Sequence, residues 1–427
     1  MKRILFVGMV NSPHFARWIS QFEGRDYDIH IFPVYFAPPH ELLKNVTVHI
    51  PWKLLRPRQF LRKLLTDRAQ HQGEDFGPGD QLVRSLRFKS VWPIPIIAPF
   101  DSKLAHIGGS KLGESGQRSP LMYGPRTLAK VIRTIKPDLI HSMEFQHAGY
   151  LVLEAKKYFR RSKFPRWLAT NWGSDIYFFR SFADHRLQIT RLLSEIDYYS
   201  CECERDITIA RDLGLTAQVM PVVPNSGGFN ISKIKITRSA VKVSDRKLIM
   251  VKGYQSFAGR ALHALEAIAK CAYEIQDYRV IVFAASPEVR ERATEIRDFY
   301  GINITILEQT THERILRYYA NARIYLGVSI SDGISTSMIE AMAMGAFPMQ
   351  TNTACCSEWI EDGVTGFELE HDDVEAVASK LRIALSNDEL VDVASELNWE
   401  IVKARLDEKR IKSIAAGMYE TILNDVK

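Results

Sequence analysis

The segment from Ile324 to Phe347 constrains the fold more than any other part of the chain. Ile324–Val328 is an apolar run of strand length, and a polar turn follows it. The next run, Met338 to Met344, is apolar nearly all round and is closed by Gly345, which predicts a short helix sandwiched inside a domain. Ser335 or Thr336 can cap that helix, leaving its first backbone N–H groups without intrahelical partners and open to an anion. Glu340 is the only charge in the helix body. A buried carboxylate must meet a cation, backbone donors or the hydroxyls of a ligand. Asp332 lies in the turn, eight residues earlier. Two carboxylates flanking an anion-binding helix end suit a ligand that carries both phosphates and sugar hydroxyls.

A chain of 427 residues exceeds one ordinary core and predicts two domains of roughly 200 residues each. Hydrophobic content of 46% and charged content of 25% are those of a globular protein. No apolar run reaches the roughly 18 residues of a membrane-spanning helix. The opening Met1 to Gly8 is too short in its apolar part for a signal peptide and reads as the first buried strand. The five cysteines lack paired zinc spacing at Cys201 and Cys203 or at Cys355 and Cys356, which predicts buried thiols in a reducing cytoplasm. The net charge of +6 suits an anionic substrate or a membrane surface and supports nucleic acid only weakly.

Apolar strands alternate with amphipathic helices from the start. Arg3–Gly8 is a strand, a helix carries Phe15, Trp18, Ile19 and Phe22, and Asp28–Phe32 is the next strand, as in a doubly wound sheet. Asp26-Tyr27-Asp28 reads as a solvated turn. Ligands in such sheets sit beyond the carboxyl ends of strands, so Met9–His14 is a candidate binding loop, and the missing G-x-G-x-x-G argues against a dinucleotide dehydrogenase. Residues 51–125 are irregular. Within them, Pro51–Arg68 mixes six cations with aromatic and leucine side chains; it either lies on an anionic bilayer or packs as a surface helix. Gly73–Asp80 is a loop by composition. Order resumes with a helix over Thr127–Ile135, a strand over Leu139–Ser142 ending in the loop Met143–His147, and Leu168–Thr170 running into Asn171–Asp175. Met220–Val241, rich in Pro and Gly, reads as a domain linker.

In the second half, Leu248–Val251 is a strand followed by a loop with Lys252, Gly253, Gly259 and Arg260, and a helix through Ile268. A glycine-containing loop with two cations at this place suits a diphosphate; otherwise Lys252 and Arg260 are surface or salt-bridged cations. Strands follow at Tyr278–Ala284 and Ile302–Leu307, with a helix over His312–Tyr319, a strand over Pro348–Asn352 and mostly helix from Val374 onward.

The segment Val328–Phe347, with Asp332 and Glu340, resembles the signature of the family-4 retaining glycosyltransferases of GT-B architecture. Glu358 to Phe367 resembles a turn of the same family, and the likeness extends over most of the chain. It implies an α/β protein of two doubly wound, Rossmann-like domains facing a cleft. Residues 1–222 would form the acceptor-side domain, with the insertion 51–125, and 223–405 the nucleotide-sugar domain. Residues 406–427 would form a helix packing back on the first. It further implies that Glu340 binds ribose hydroxyls and that Asp332, one methylene shorter than the family's usual Glu, contacts the transferred sugar. Gly253, Gly333, Ser335, Thr336 and Ser337 would line the donor site. The family's cation positions fall at Tyr254 and Ala258, so Lys252 and Arg260 are the candidates for the diphosphate. Ser12-Pro13-His14 resembles a subset of the family. His14 is then an acceptor-side base or hydrogen-bond partner, or else caps its loop. Trp172 stands where the family often has a sugar-binding His; it stacks on a pyranose or fills core, and His147 or His141 can supply the missing polar contact. Asp175 is a helix cap or an acceptor contact.

The implied activity is transfer of a sugar from a nucleotide sugar to a hydroxyl of a glycan or lipid-linked acceptor, with retention and without a metal or other cofactor. The setting would be surface-polysaccharide or glycolipid assembly, in the cytoplasm or at the inner face of the membrane, and no nucleic acid would be involved. A nucleotide-sugar-binding subunit without chemistry and a sugar-nucleotide epimerase on the same architecture are the competing readings.

Overall fold

Two all-parallel sheets carry the chain, each in its own compact unit. The computed structural model describes residues 1–35, 37–51, 87–91, 124–159 and 164–425. Most of Pro51–Arg68 and all of Gly73–Asp80 lie outside these. The first unit comprises Met1–Gly227 and Lys412–Lys427, and the second comprises Gly228–Ile411.

The first sheet has eight strands among the described residues: β1 (Lys2–Gly8), β2 (Tyr27–Pro33), β3 (Thr47–Pro51), β4 (Arg87–Val91), β5 (Leu139–Met143), β6 (Arg166–Thr170), β7 (Tyr198–Ser200) and β8 (Gln218–Val219). Their order is β4-β3-β2-β1-β5-β6-β7-β8, so the chain starts in the middle and winds outward both ways. Ile4–Val7, Leu139 and Ile140 are fully buried, as strands covered on both faces must be. The first helix, Pro13–Ser20, buries Phe15, Trp18 and Ile19, while Phe22 lies past its end. The reading of Asp26-Tyr27-Asp28 as a solvated turn is corrected: Tyr27 opens β2, and Asp28 takes Arg3 Nε at 2.7 Å and His30 Nε2 at 3.1 Å.

The last helix, Glu408–Asn424, gives the first unit its residues from Lys412 onward. There the Tyr419 hydroxyl accepts from Trp18 Nε1 at 3.0 Å and meets His141 Nδ1, whose other nitrogen lies 2.6 Å from Thr170 Oγ1. All four side chains are buried.

The second sheet has the order β11-β10-β9-β12-β13-β14, from β9 (Leu248–Lys252), β10 (Arg279–Phe283), β11 (Asn303–Ile306), β12 (Ile324–Gly327), β13 (Phe347–Thr351) and β14 (Phe367–Leu369). Chain order reverses between β9 and β12, and that switch point is where such sheets bind ligands. The segment read as a plain linker holds a helix, Ile231–Thr237, started by Asn230 Oδ1 accepting from the Lys233 N–H. Its single buried apolar residue, Ile234, explains why no helical period stood out. All five cysteines are buried and none is in a disulfide. No helix among the described residues is long and apolar enough to cross a membrane.

Candidate active site

At the switch point of the second sheet, the loops leaving β9 and β12 are stitched together. The Arg260 N–H donates to the Val328 carbonyl at 2.9 Å and the Ile330 N–H to the Ala258 carbonyl at 2.7 Å. Gly259 sits inside this stitch, where a Cβ would lie 1.9 Å from the Tyr254 carbonyl oxygen, so no other residue fits. Arg260 Nη1 donates to the carbonyls of Ser256 and Gly259, bracing the loop from within, and the rest of the guanidinium is uncommitted among the described residues. Gly253, at the head of the loop, leaves no room for a Cβ against Ala285, Val282 and Phe283.

Lys252 and Asp332 meet across the two loops, with Nζ 3.7 Å from Oδ2 and both side chains partly exposed. Burial works against the charge on Lys252, but Asp332, with Tyr325 and Tyr254, outweighs it and raises the ammonium pKa above the ordinary value. The lysine is a fixed cation. Asp332 also accepts from the Gly333 N–H at 2.9 Å.

Ser335 starts the helix Thr336–Met344 without a side-chain cap bond, and Gly345 ends it at φ +91°. The N–H groups of Thr336, Ser337 and Met338 precede the first intrahelical donor, that of Ile339 to the Ser335 carbonyl. One turn in, Glu340 is 5% exposed, and its Oε1 lies 2.6 Å from Nε2 of the half-exposed His312. That histidine opens the neighbouring helix His312–Asn321 and was not singled out in the sequence, because nothing local ties it to a residue 28 positions later. Tyr325, also missed, is fully buried. Its hydroxyl donates to Gln350 Oε1 at 3.1 Å and lies 3.3 Å from Ser335 Oγ. Burial pushes that phenol up, Lys252 pulls it down, and Asp332 and Glu340 push it up again, so one hydroxyl feels the three charges the sequence pointed to.

In the first unit, the remaining candidates gather at the carboxyl ends of the adjacent strands β1, β5 and β6. His14 belongs to the first turn of the Pro13–Ser20 helix rather than to a loop, and its ring lies 5.9 Å from that of Trp172. Trp172 is half-buried, and its Nε1 has no hydrogen-bond partner among the described residues. His147 lies in a π-helical turn, Phe145–Gly149, with Nδ1 2.8 Å from Glu144 Oε1. The two other expectations change. Asp175 is not the cap of its helix, since Gly173 holds that position; it is buried and accepts from the Trp172 and Phe145 N–H groups at 2.7 and 3.0 Å. Burial, with Glu144 and Asp206 nearby, raises its carboxyl well above the usual range against those two bonds. His141 cannot supply a sugar contact, because both its nitrogens are used inside the core, and burial lowers its pKa to about 3.

A model described as "Glycosyl transferases group 1" matches residues 232–397, and one described as "Glycosyl transferase 4-like" matches 116–201. Together they span more than half of the chain. The chain belongs to the glycosyltransferases of GT-B architecture. No curated protein sequence matches it. Solved structures with the same fold include a sucrose-phosphate synthase from Thermosynechococcus elongatus, at 13% identity over 99% of both chains and a TM-score of 0.68. A glycosyltransferase from Rickettsia africae matches at 14% identity over 100% of this chain and 99% of its own, with a TM-score of 0.64. HepE of Anabaena, solved with UDP and glucose, matches at 14% identity over 99% and 100%, with a TM-score of 0.62. In this glycosyltransferase, the group 1 match contains the Lys252, Asp332 and Glu340 cluster, and the 4-like match contains His147, Trp172 and Asp175.

Proposed function

We propose that this glycosyltransferase moves a sugar from a nucleoside-diphosphate sugar to a hydroxyl of a glycan or lipid-linked acceptor, with retention at the anomeric carbon. The observation that carries the reading is the grouping of Lys252, Asp332 and the open N-terminus of the Thr336–Met344 helix, with Glu340 one turn along it. A nucleotide sugar arrives activated, so the protein's task is to stabilise charge on the departing diphosphate. Lys252, the uncommitted part of Arg260, and the N–H groups of Thr336 to Met338 supply that field without a metal ion. Glu340 takes ribose hydroxyls through the oxygen that His312 leaves free. Asp332 and Gly333 hold the transferred sugar, and His14, His147 and Trp172 serve the acceptor or sugar, while Asp175 shapes their loop.

In the step itself the acceptor oxygen bonds the anomeric carbon on the face the diphosphate leaves. The hydroxyl proton passes to the departing phosphate oxygen. Structures of HepE hold UDP and UDP-glucose, which makes uridine nucleotides the first probes. Surface-polysaccharide or glycolipid assembly at the cytoplasmic side of a membrane is the setting we attach to this chemistry.

The test is to incubate the full chain with a panel of nucleotide sugars and a glycan or lipid-linked hydroxyl acceptor. Released nucleoside diphosphate and the anomeric configuration of the product are then read, with and without EDTA. Retained configuration and indifference to EDTA are expected. Inversion, or loss of turnover in EDTA, would overturn the corresponding part of the reading. One observation favours a second reading: Tyr254, 41% exposed, stands where the family carries a cation. Donor binding without release of nucleotide from any sugar would select a binding subunit instead.

A further inference from the structure

Glu144 is built into the first unit in a way that its sequence neighbours do not explain. It follows directly on β5 with φ +78° and ψ 145°, a region that is essentially reserved for glycine. Its side chain is 6% exposed, yet it forms no ion pair with Lys or Arg among the described residues. Instead the carboxylate accepts three backbone N–H groups and meets one ring nitrogen. Oε1 takes the Gln146 N–H at 2.8 Å and His147 Nδ1 at 2.8 Å; Oε2 takes the His147 N–H at 2.7 Å and the Ala148 N–H at 3.4 Å. These bonds hold the π-helical turn Phe145–Gly149, a rare form found frequently at functional sites. The backbone of Glu144 is itself pinned, its N–H donating to the Thr170 carbonyl at 2.8 Å and its carbonyl accepting from the Gly149 N–H at 2.9 Å. A strained residue persists only where its surroundings over-determine it.

We propose that Glu144 is a positioning residue that holds His147 as the Nδ1–H tautomer, so that the bare Nε2 accepts a hydrogen bond from a sugar hydroxyl. An ionised carboxylate only accepts, so the ring nitrogen facing it must carry the proton, and the other nitrogen is left as a lone pair. Nε2 has no hydrogen-bond partner among the described residues, and the ring stands edge-on to Tyr35 at 6.2 Å between centroids. The other titratable groups that the electrostatics couple to Glu144 are Asp175, Tyr35 and Tyr150. None of them is a cation that could draw the carboxylate away. The function given to Nε2 rests on the transferase reading; the tautomer does not.

Two arms separate those claims. Long-range proton–nitrogen NMR spectra of protein labelled with [15N]histidine report the tautomer, with His147 assigned by its loss in His147→Ala. Nδ1–H in wild type, moving toward Nε2–H in Glu144→Gly, is expected; glycine suits the backbone angle, so this variant relieves strain while removing the carboxylate. Nε2–H in wild type, or an unchanged ring in Glu144→Gly, would overturn the assignment. Should that variant fold poorly, Glu144→Gln loses the charge at constant size and should lie between the two. The second arm follows UDP release from UDP-glucose. Glu144→Gly and His147→Ala should each lower kcat at least tenfold, the double variant no further, with UDP affinity unchanged. Wild-type kcat in Glu144→Gly, or fully additive losses, would overturn the positioning role. If even wild type releases no UDP, the transferase reading fails for this donor, and the NMR arm alone decides the role of Glu144.

Discussion

Replacing Glu340 by alanine should abolish the protein's preference for ribose over deoxyribose without unfolding it. The carboxylate is 5% exposed and has His312 at 2.6 Å on one oxygen, leaving the other for a ligand hydroxyl. A hydrogen bond to a charged group contributes about 1.5–3 kcal/mol, which corresponds to roughly 10- to 150-fold in affinity. Wild type should therefore bind UDP more tightly than 2′,3′-dideoxy-UDP by about that factor, read by calorimetry, and Glu340→Ala should bind the two alike. Because His312 is half-exposed, water can solvate the imidazole that the variant leaves alone, and the cost in stability should stay near 1 kcal/mol or below. A Glu340→Ala protein that still prefers UDP by the wild-type ratio would refute the ribose contact. The His312 pair would then be the whole reason for a buried acid at this place.

Other expectations follow from the same contacts. Gly259→Ala forces a Cβ onto the Tyr254 carbonyl, so the loop must open; UDP affinity should fall at least tenfold while uridine affinity changes little. Lys252→Met removes the fixed cation beside Asp332 and should lower the rate of nucleotide release by roughly a hundredfold, as loss of one oxyanion donor does. Tyr419→Phe strips the hydroxyl shared by Trp18 and His141; at about 1–3 kcal/mol for each buried group left unpaired, it should lower the melting temperature by several degrees. His141 titrates at about 3 when folded, below its unfolded value, so its contribution to stability is present at neutral pH and is lost as pH falls from about 6.5 toward 3. Melting curves across that window should slope by up to about 1.4 kcal/mol per pH unit, and His141→Gln should flatten the slope.

What could be read from the sequence was what local pattern determines. The apolar runs at Ile324–Val328 and Leu248–Val251 became β12 and β9 with ends shifted by one residue, and Gly345 does close its helix. The need of Glu340 for a partner followed from its apolar neighbours, but the partner did not, since His312 comes from a different helix. Asp28 misled for the same reason: beside Asp26 it looks solvated, and only the pairing of β1 with β2 brings Arg3 onto it. Glu144 left no local trace. Its left-handed backbone is imposed by Thr170 and Gly149, and a glutamate in such a place reads in the sequence as an ordinary surface charge.

The first unit joins Met1–Gly227 to the residues from Lys412 onward, with Tyr419 packed against Phe6 and Phe22 and bonded to Trp18 and His141. A growing chain has the second unit's whole sheet once β14 has emerged from the ribosome, yet the first unit still lacks the helix Glu408–Asn424. Until then the niche for Tyr419 stays lined by bare aromatic rings and unmet polar groups. The half made first thus depends on residues made after the other half. Proteases or chaperones that recognise exposed aromatic surface would meet it in exactly that interval, and a stop codon or nick shortly before Lys412 would leave it open for good.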